Sequence, residues 1–467
     1  MKTIIHWFRQ DLRLSDNPAL FEAAKNGEVL PIYILDDENS NEYKMGGASR
    51  VWLQYALDSL NKSLDGKLKF FKGDAKKIIP QVIKDSGAGA IYWNRCYEPW
   101  RISRDQEIKH ALKDAITEVE TFNGSLLFEP WEALKDNGDP YKVFTPFYKK
   151  NYFNSSPREP LKKPENLKIS QCEIKSEALE SLRLLPKTRW DDGIIKGWNI
   201  SEEGAKERLH SFLDSGIQDY KNGRNFPATN NNSRLSPYLH FGQISPNQIW
   251  HSARFYELNE NIENFCVELA WREFSFNLLY HFPELPRKNL QSKFDNFPWR
   301  DAPELLEKWQ KGETGYPIVD AGMRELWQTG FMHNRVRMIV GSFLVKNLLI
   351  HWHEGEKWFW NCLVDADLAS NSASWQWIAG CGADAAPYFR IFNPTTQGQR
   401  FDANGEYTKK YVPELRNMPD KYLFNPWEAP ENVLKSAGVE LGKTYPRPIV
   451  DIKESREDAL AAYASIK

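Results

Sequence analysis

Short hydrophobic runs alternate with amphipathic segments over the first quarter of the chain. Runs rich in β-branched and aromatic residues predict strands, and the longer segments between them have the spacing of helices. This alternation is typical of βαβ units, so the sequence predicts a doubly wound parallel sheet of five strands. The predicted strands are Thr3–Phe8, Val29–Leu35, Lys67–Lys72, Ala90–Asn94 and Glu118–Phe122, and the predicted helices are Asn17–Lys25, Ser49–Leu64, Ala75–Asp85 and Ser103–Ala115.

The pattern changes near Glu129, where prolines and basic pairs interrupt the chain as far as Ile200. These residues predict a long connector that wraps the surface. Beyond Ser201 helical spacing takes over, so we expect an α/β domain over 1–128, a connector over 129–200 and an all-helical domain over 201–467. The helices predicted there are Ser201–Leu213, Pro246–Glu257, Asn264–Tyr280, Pro303–Gln310, Val319–Gln328 and Asn334–Leu349.

Composition narrows the class of protein. Charged residues make up 27% and hydrophobic residues 41% of the chain, and no apolar run has the length of a membrane span. The five cysteines are scattered, and the chain opens directly on a strand-like run, which predicts reduced thiols and a cytoplasmic protein. A net charge of −2 leaves nucleic-acid binding open, because a local basic face is enough. The 18 tryptophans favour stacking surfaces, cofactor contacts or an electron relay, with core filling as the ordinary explanation.

The stretch from Asp365 to Gln397 concentrates residues suited to chemistry. It begins with the carboxylates Asp365 and Asp367, continues through Asn371 and the run SWQW, and ends in an Arg-aromatic-Asn-Pro run before Gln397. Interruptions by Ser, Ala, Gly and Asn predict short helices joined by turns. Small residues beside wide aromatic ones are typical of a pocket for a flat cofactor. A core segment with satisfied polar atoms explains the same pattern.

One predicted helix carries polar side chains on a single face. Glu268, Trp271, Arg272 and Ser275 are spaced i, i+3, i+4 and i+7, and most other positions of the helix are apolar. A buried carboxylate and guanidinium need partners or a ligand. The spacing therefore predicts either a ligand-binding face or an internal Glu–Arg pair.

A second helix repeats this spacing with Asn334, Arg337 and Met338, and Arg335 lies beside them. The apolar run that follows directly disfavours a solvated basic helix start. Arg337 is a natural partner for one of the two aspartates that open the stretch at Asp365. The amide and the thioether would then face a ligand.

A turn rich in hydroxyl and amide groups lies at Asn232–Ser236, shortly after Tyr220 and Arg224. Backbone N–H groups, hydroxyls and a guanidinium suit a phosphate or pyrophosphate, although such turns are also common without a ligand. Other chemistries find little support in the sequence. A dinucleotide fingerprint, a complete P-loop, an HExxH zinc motif and a GxSxG elbow are all missing, so no metal site is expected.

Several long motifs resemble the photolyase/cryptochrome flavoproteins. They are WFRQDLRLSDNPAL, SRLSPYLHFG, ELAWREF, GYPIVDAGMRELWQTGFMHNRVRM, DADLASNSASWQW with YFRIFNPTTQG, and YPRPIVD. Within the family, the chain is similar to class I cyclobutane pyrimidine dimer photolyases. The resemblance implies a carbon–carbon lyase in which blue light drives electron transfer from reduced FAD and splits cyclobutane dimers in UV-damaged DNA.

The resemblance also implies a set of FAD contacts. FAD, active as FADH⁻, would lie in the helical domain, with Asn371 facing flavin N5 and Arg337 paired with Asp365 beside the ring. The residues implied to bind FAD are Tyr220, Asn232, Ser233, Arg234, Leu235, Ser236, Arg337, Asp365, Ala366, Asp367 and Asn371.

Electron-transfer, repair and DNA residues follow from the same resemblance. The tryptophans implied to relay electrons to the flavin are Trp299, Trp352 and Trp375. The residues implied to act in repair are Glu268, Trp271, Met338, Asn371 and Trp377. The residues implied to contact DNA are Arg224, Glu268, Trp271, Arg272, Ser275, Asn334, Arg335 and Gln397.

The resemblance leaves the antenna chromophore open between deazaflavin and methenyltetrahydrofolate. Folate-binding members carry an Asn-Glu pair where this chain has Trp100 and Arg101, and the run from Glu98 is closer to deazaflavin-binding members. The alternatives to dimer repair are a cryptochrome-type blue-light sensor, disfavoured by Asn371, and (6-4) photoproduct repair, disfavoured because His333 is the one histidine in its motif. We further expect a monomer that associates with the nucleoid during repair and has no membrane partner.

Overall fold

The computed structural model of the chain describes residues 2–113, 118–153, 155–385, 387–388 and 390–467. The strands are β1 (Thr3–Phe8), β2 (Glu28–Leu35), β3 (Lys69–Lys72), β4 (Ala90–Asn94) and β5 (Glu118–Phe122). All are parallel and form one sheet in the order β3-β2-β1-β4-β5, which confirms the predicted doubly wound fold. The central strands β1 and β4 are almost wholly buried, as expected for a parallel sheet covered on both faces.

Four helices connect the strands. Their starts follow from local capping, since the Asn17 side chain accepts a hydrogen bond from the backbone N–H of Leu20 at 3.1 Å and Asp74 accepts one from Lys76 at 3.0 Å. The predicted helix Ser103–Ala115 begins four residues earlier, at Pro99, and its predicted end at 114–115 lies outside the described residues. These helices are α1 (Pro18–Asn26), α2 (Gly47–Ser63), α3 (Ala75–Ser86) and α4 (Pro99–Leu112).

Charged side chains fill the carboxyl ends of the central strands. Arg9, directly after β1, donates to the carboxylate of Asp105 and to the backbone carbonyl of Asn94. Arg104 pairs with Asp36 after β2 at 3.2 Å. Burial by itself raises the pKa of Asp105, but Arg9 and Arg104 outweigh it and hold that pKa below its ordinary value. The edge of the sheet is therefore tied together by a buried ion network.

The connector contains more structure than its sequence predicts. It includes the helices α5 (Phe144–Tyr148) and α6 (Asp192–Ile195), and a π-helical turn at Lys149–Phe153. Ile169 forms a bridge with Val29 of β2, and Glu177 forms one with Phe70 of β3. The connector thus adds backbone hydrogen bonds to the β3 side of the sheet.

The rest of the described chain is helical, as predicted. The predicted helix Asn334–Leu349 differs in detail, because it changes to a π-helical turn at Phe343–Asn347. The helices are α7 (Glu202–Asp214), α8 (Tyr220–Gly223), α9 (Ser236–His240), α10 (Pro246–Arg254), α11 (Glu260–His281), α12 (Pro303–Lys311), α13 (Pro317–Thr329), α14 (Asn334–Ser342), α15 (Trp352–Cys362), α16 (Leu368–Ala379), α17 (Pro394–Phe401), α18 (Glu406–Tyr411), α19 (Asp420–Leu423), α20 (Glu431–Ala437) and α21 (Ile452–Ala464).

The chain divides into two compact units. The first comprises residues 1–217, 233–283 and 364–369, and the second comprises 218–232, 284–363 and 370–467. This division, which rests on contacts, places α7, α9, α10 and α11 in the same unit as the sheet. The predicted boundaries at 128 and 200 rest instead on changes in the hydrophobic and polar pattern of the sequence. The predicted boundaries stay a prediction.

Two kinds of feature are missing from the part of the chain that the structure describes. Its helices include none that is both long and apolar enough to cross a membrane. Its histidine, cysteine and carboxylate side chains include no group of three or more that could hold a metal ion. Cys96, Cys172, Cys266, Cys362 and Cys381 are free thiols.

Gly242, in the predicted SRLSPYLHFG motif, lies where two backbone segments meet. Its φ is +67°, and a Cβ there would lie 2.0 Å from the carbonyl oxygen of Gln10. The buried Arg13 donates to the Gly242 carbonyl at 2.9 Å and Leu12 donates to the carbonyl of Phe241 at 3.1 Å, so this contact holds the segment after β1.

We expect Gly242→Ala to destabilise the protein more than Gly138→Ala does. Both glycines have positive φ, which costs an alanine about 1 kcal/mol or more, but a Cβ at Gly138 meets nothing within 4 Å. The backbone clash at Gly242 adds roughly 1–3 kcal/mol. Urea unfolding of both variants measures the difference, and equal losses of stability would contradict the close approach.

Candidate active site

Helix α11 presents the predicted repair face in the first unit. Its N-cap, Asn259, accepts hydrogen bonds from the backbone N–H groups of Asn261 and Ile262, and acidic residues in the first turn favour the helix start. Glu268, Trp271 and Arg272 are half-buried and Ser275 is buried. The face therefore packs partly against the protein and keeps exposed surface that a ligand can contact.

Trp271 is held by an aromatic neighbour that the sequence does not predict. Its ring stacks on Phe144 of α5, with centroids 3.7 Å apart and an interplanar angle of 7°. Phe274, one turn away, contacts both rings edge-on. The indole therefore has a fixed orientation, as a wall for a planar ligand requires.

Arg272 pairs with the carboxylate of the residue that follows it in the chain. Its Nη1 donates to Oε1 of Glu273 and to the carbonyl of Ser125, each at 3.0 Å. The other oxygen of Glu273 accepts the backbone N–H of Leu127 at 2.8 Å, and burial raises the pKa of this carboxyl to about 7. Glu273 thus fastens α11 to the segment after β5. A DNA contact by Arg272 stays a prediction.

The hydroxyl-rich turn and the opening aspartate lie together in the first unit. The hydroxyl of Ser236 donates to Oδ2 of Asp365 at 2.5 Å. Arg234 has a φ of +53°, and its guanidinium lies 4.3 Å from the centroid of Trp198. Ser233 accepts a hydrogen bond on its carbonyl from Nε of Arg208 at 2.7 Å. A non-glycine residue with positive φ is uncommon and marks this turn as a constrained one.

The remaining implied FAD contacts differ in burial. Leu235, Ala366 and Tyr220 are buried, whereas Asp367 and Asn232 are half-buried. Arg337 in the second unit donates from Nε to the carbonyl of Met332 at 2.8 Å and lies over the ring of Phe331. Its pairing with Asp365 stays a prediction.

Asn371 has one side of its amide fixed. Its Nδ2 donates to the backbone carbonyl of Glu356 on α15 at 3.1 Å, while its Oδ1 accepts no hydrogen bond from the described residues. The Glu356 carboxylate accepts a hydrogen bond from Ser372, the next residue of α16. The amide is thus oriented with a carbonyl oxygen available to an N–H donor, which fits the N5–H of a reduced flavin.

Helix α16 is fixed by a residue that the sequence analysis did not single out. The buried Gln376 donates to the carbonyls of Leu285 and Lys288 at 2.7 and 2.8 Å, and its Oε1 accepts the N–H of Leu290 at 2.9 Å. The predicted residues Trp375 and Trp377 flank it, the first buried and the second half-buried. The same helix therefore orients Asn371 and both tryptophans.

The three predicted relay tryptophans lie in the second unit with graded burial. Trp375 and Trp352 are buried, whereas Trp299 is partly exposed. His351 contacts both Trp299 and Trp352, at centroid distances of 5.1 and 5.5 Å. A Cβ on Gly355, one turn after Trp352, would lie 2.1 Å from the indole of Trp375. The increase in exposure from Trp375 and Trp352 to Trp299 fits a relay of electrons between the surface and the interior. Electron transfer through these tryptophans stays a prediction.

Arginines gather near the start of α14. Arg335 donates to the amide of Asn225 and lies over the ring of Phe401 at 4.6 Å. Burial, and then Arg224 and Arg400, lower the pKa of Arg335; burial, followed by Arg335 and two further arginines, lowers the pKa of His333 to about 3. Like charges brought together in this way favour an anionic ligand.

Three further residues predicted to act in repair or DNA binding are close to these arginines along the chain. Asn334 is exposed at the start of α14, Met338 is half-buried one turn later, and Gln397 is half-buried in α17. Arg400 follows Gln397 by three residues, so helical spacing could have identified it. Phe144, Glu273 and Glu356 give no such signal, because their roles depend on contacts between distant segments.

Comparisons with known proteins identify the family. The sequence model described as DNA photolyase matches residues 4–165, and that of the FAD binding domain of DNA photolyase matches residues 265–465. A deoxyribodipyrimidine photo-lyase of Agrobacterium fabrum is 48% identical, over 99% of this chain and 98% of its own length. Cryptochrome-2 of Arabidopsis thaliana is 37% identical, over 98% of this chain and 78% of its own length.

A crystal structure of a bacterial class III photolyase from Agrobacterium tumefaciens has a TM-score of 0.95 and 46% sequence identity, covering 100% of this chain and 98% of that one. The chain belongs to the photolyase/cryptochrome family, as predicted from its motifs, and contains that family's FAD-binding domain. This similar structure is described as class III, whereas the sequence motifs of this chain predict class I.

We expect Gly355→Ala to destabilise the second unit, because the added methyl group collides with the indole of Trp375. That ring is enclosed by Phe359 and Trp309, at centroid distances of 5.0 and 6.3 Å, so it has little room to move. Overpacking of this kind costs about 1–3 kcal/mol. The measurement is the free energy of unfolding in urea.

Gly341→Ala is the matched control. A Cβ at Gly341 would lie 3.5 Å or more from Ile378 and Trp375, an ordinary contact, and alanine favours a helix over glycine by about 1 kcal/mol. It should be neutral or stabilising. If both variants unfold like the wild type, Gly355 does not provide the space for Trp375.

We expect the stability contributed by Glu356 to fall with rising pH. Burial raises the pKa of its carboxyl from 4.5 to about 7, so the folded protein retains a proton that the unfolded chain loses between these values. Stability therefore declines as the pH rises from about 4.5 to about 7, and Glu356→Gln should remove this part of the decline. Unfolding in urea at pH 5 and pH 8 tests the prediction.

Glu354→Gln, which removes a carboxylate paired with Lys357 on the same helix, controls for the loss of charge. Relative to the wild type, Glu356→Gln should be more stable at pH 8 than at pH 5. A difference of the same size at both pH values would show that the Glu356 carboxyl does not titrate in this range.

Proposed function

We propose that the protein is a deoxyribodipyrimidine photo-lyase that repairs cyclobutane pyrimidine dimers in UV-damaged DNA under blue light. The observation that carries the proposal is the face of α11, where Glu268 precedes Trp271 by one turn and Phe144 fixes the indole at 3.7 Å. The 48% identity to a photo-lyase over almost the whole chain supports the same activity.

The residues present fit FAD. The amide of Asn371 offers its carbonyl oxygen, and the turn at Arg234–Ser236 with Asp365 offers hydroxyl, carboxylate and guanidinium groups. When bound, reduced FAD supplies the electron that opens the cyclobutane ring under light. The chain's own residues bind, orient and shield: they hold the amide and the carboxylate in fixed positions and keep water from the dimer.

Repair requires the dimer to leave the duplex, as in other enzymes that act on DNA bases. Trp271 and Trp377 would form the apolar walls that accept it. In its carboxylic acid form the Glu268 side chain would donate a hydrogen bond to a pyrimidine carbonyl, where negative charge develops. Met338 would fill the space beside the dimer with a polarizable, flexible side chain.

The arginines around Arg335 would contact DNA phosphates. Guanidinium groups pair well with phosphate oxygens, and Arg224 and Arg400 are close enough to Arg335 to contribute to lowering its pKa. Phosphate charge would relieve that repulsion. Asn334 and Gln397 would add neutral hydrogen bonds on the same side.

A blue-light sensor is the second candidate, favoured by the 37% identity to Cryptochrome-2 of Arabidopsis thaliana. Asn371 and the α11 face favour repair instead. Among photolyases we assign the chain to class III, because of its similarity to the class III structure, in preference to class I. We also propose a cytoplasmic monomer that joins the nucleoid during repair, which light scattering and fluorescence microscopy test.

The deciding experiment illuminates reduced protein with blue light in the presence of DNA that contains either cyclobutane dimers or (6-4) photoproducts. We expect loss of the cyclobutane dimers and retention of the (6-4) products, measured by chromatography of digested DNA. Cyclobutane dimers that persist under light would refute the proposed activity. Loss of the (6-4) photoproducts would show that these are a substrate.

Glu268→Gln should reduce dimer repair severalfold while FAD absorbance stays unchanged, because an amide stabilises the developing charge less well than a carboxylic acid does. Glu263→Gln, in the first turn of the same helix, controls for loss of an acidic group. Repair by both variants at the wild-type rate would remove Glu268 from the reaction.

A further inference from the structure

We propose that a cleft lined by Lys135, Tyr141, Lys142, Val143 and Phe282 binds a nucleotide of the damaged strand away from the flipped dimer. The cleft has a volume of about 640 Å³ and lies in the first unit. The inference rests on the proposed function and adds a second contact for the same DNA. We call this feature the lysine–aromatic cleft.

The lining combines positive charge with ring faces. The ammonium group of Lys142 lies 4.9 Å from the ring centroid of Phe282, and that of Lys135 lies 5.9 Å from the centroid of Tyr141. Both lysines are exposed, and neither forms an ion pair with any carboxylate among the described residues. Asp139, also in the lining, accepts a hydrogen bond from the amide of Asn137 at 2.8 Å.

This combination matches a nucleotide. A phosphate pairs with free ammonium groups, and a base stacks on an accessible ring, with a lysine adding a cation–π contribution. A cleft of several hundred Å³ has room for one such unit. Proline and valine complete an apolar floor that suits the face of a base.

Helix α11 connects the lysine–aromatic cleft to the repair face. Phe282 caps the helix and follows Trp271 by eleven residues. That separation is close to three full turns, so both residues lie on the same side of the helix, about 16 Å apart along its axis. A strand whose dimer reaches Trp271 therefore passes the cleft within a few nucleotides.

The connector joins the two places a second time. Lys142 and Val143 directly precede Phe144, whose ring stacks on Trp271 at 3.7 Å. Two extended residues span at most about 7 Å, so the backbone of Lys142 remains close to the wall of the repair face. Two independent chain segments thus place the cleft beside the predicted dimer pocket.

The test measures binding in the dark to a duplex that contains one cyclobutane dimer. Lys135→Gln with Lys142→Gln should reduce the slope of log Kd against log salt by about one for each lysine. The control replaces two exposed lysines with glutamine: Lys67, which precedes β3 by two residues, and Lys84, in α3. It removes the same charge from two lysines outside the lining of the cleft, and its slope should remain that of the wild type.

Phe282→Leu separates stacking from charge. It keeps an apolar side chain but removes the ring, so Kd should rise roughly fivefold or more with an unchanged salt slope. Shortening the DNA to end just beyond the dimer on the side that reaches the cleft should abolish the difference between this variant and the wild type. Equal affinities of variant and wild type for full-length DNA would overturn stacking in the cleft.

Repair and binding report on different proposals. At saturating DNA, both variants should repair each bound dimer with wild-type yield, because neither substitution touches α11's repair face. If the double lysine variant retains the wild-type salt slope and affinity, the lysine–aromatic cleft is not a DNA contact. Failure of the proposed function would appear separately, as wild-type protein that leaves dimers intact under light.

Discussion

The Glu273 carboxylate is the contact on which the arrangement of the repair face depends. One of its oxygens accepts the N–H of Leu127 and the other pairs with Arg272, so a single side chain fixes α11 to the chain that leaves the sheet. Phe144 follows in that same chain and supports Trp271. Burying a carboxylate is unfavourable unless its oxygens accept hydrogen bonds, as those of Glu273 do. These hydrogen bonds fix α11 and with it the position of the Trp271 indole.

Much of this architecture could be predicted from pattern, because it depends on local spacing. The five strands appear within two residues of their predicted bounds, and Glu268 and Trp271 share a face as the i, i+3 rule requires. Phe144, Glu273 and Glu356 could not be found in this way. Phe144 lies in a stretch whose prolines predict only a connector, yet it makes the tightest ring contact of the site, and such pairings between distant segments leave no periodic trace.

Charge in the second unit is arranged against local stability. Arg335 lies near Arg224 and Arg400, and the carboxyl of Glu356 is buried beside Asn371. Such groups violate the rules that make a sequence fold well, and proteins concentrate these violations where a ligand will compensate for them. The buried Gln376, with three satisfied hydrogen bonds, shows the opposite arrangement on the same helix as Asn371. The hydrogen bonds of Gln376 thus fix the helix that carries Asn371, next to the buried carboxyl of Glu356.

The two β-bridges that the connector forms with β2 and β3 affect how the edge of the sheet meets other protein molecules. Strand β3 is short, and it leaves the first half of β2 without a partner on the side away from β1. Ile169 takes that place, while Glu177 donates its N–H to Phe70 of β3 at 2.8 Å. A parallel sheet with an open edge can recruit a strand from another molecule. The connector residues that pair here occupy backbone groups that would otherwise be open to a strand from another molecule. The connector therefore protects the protein from self-association at that edge.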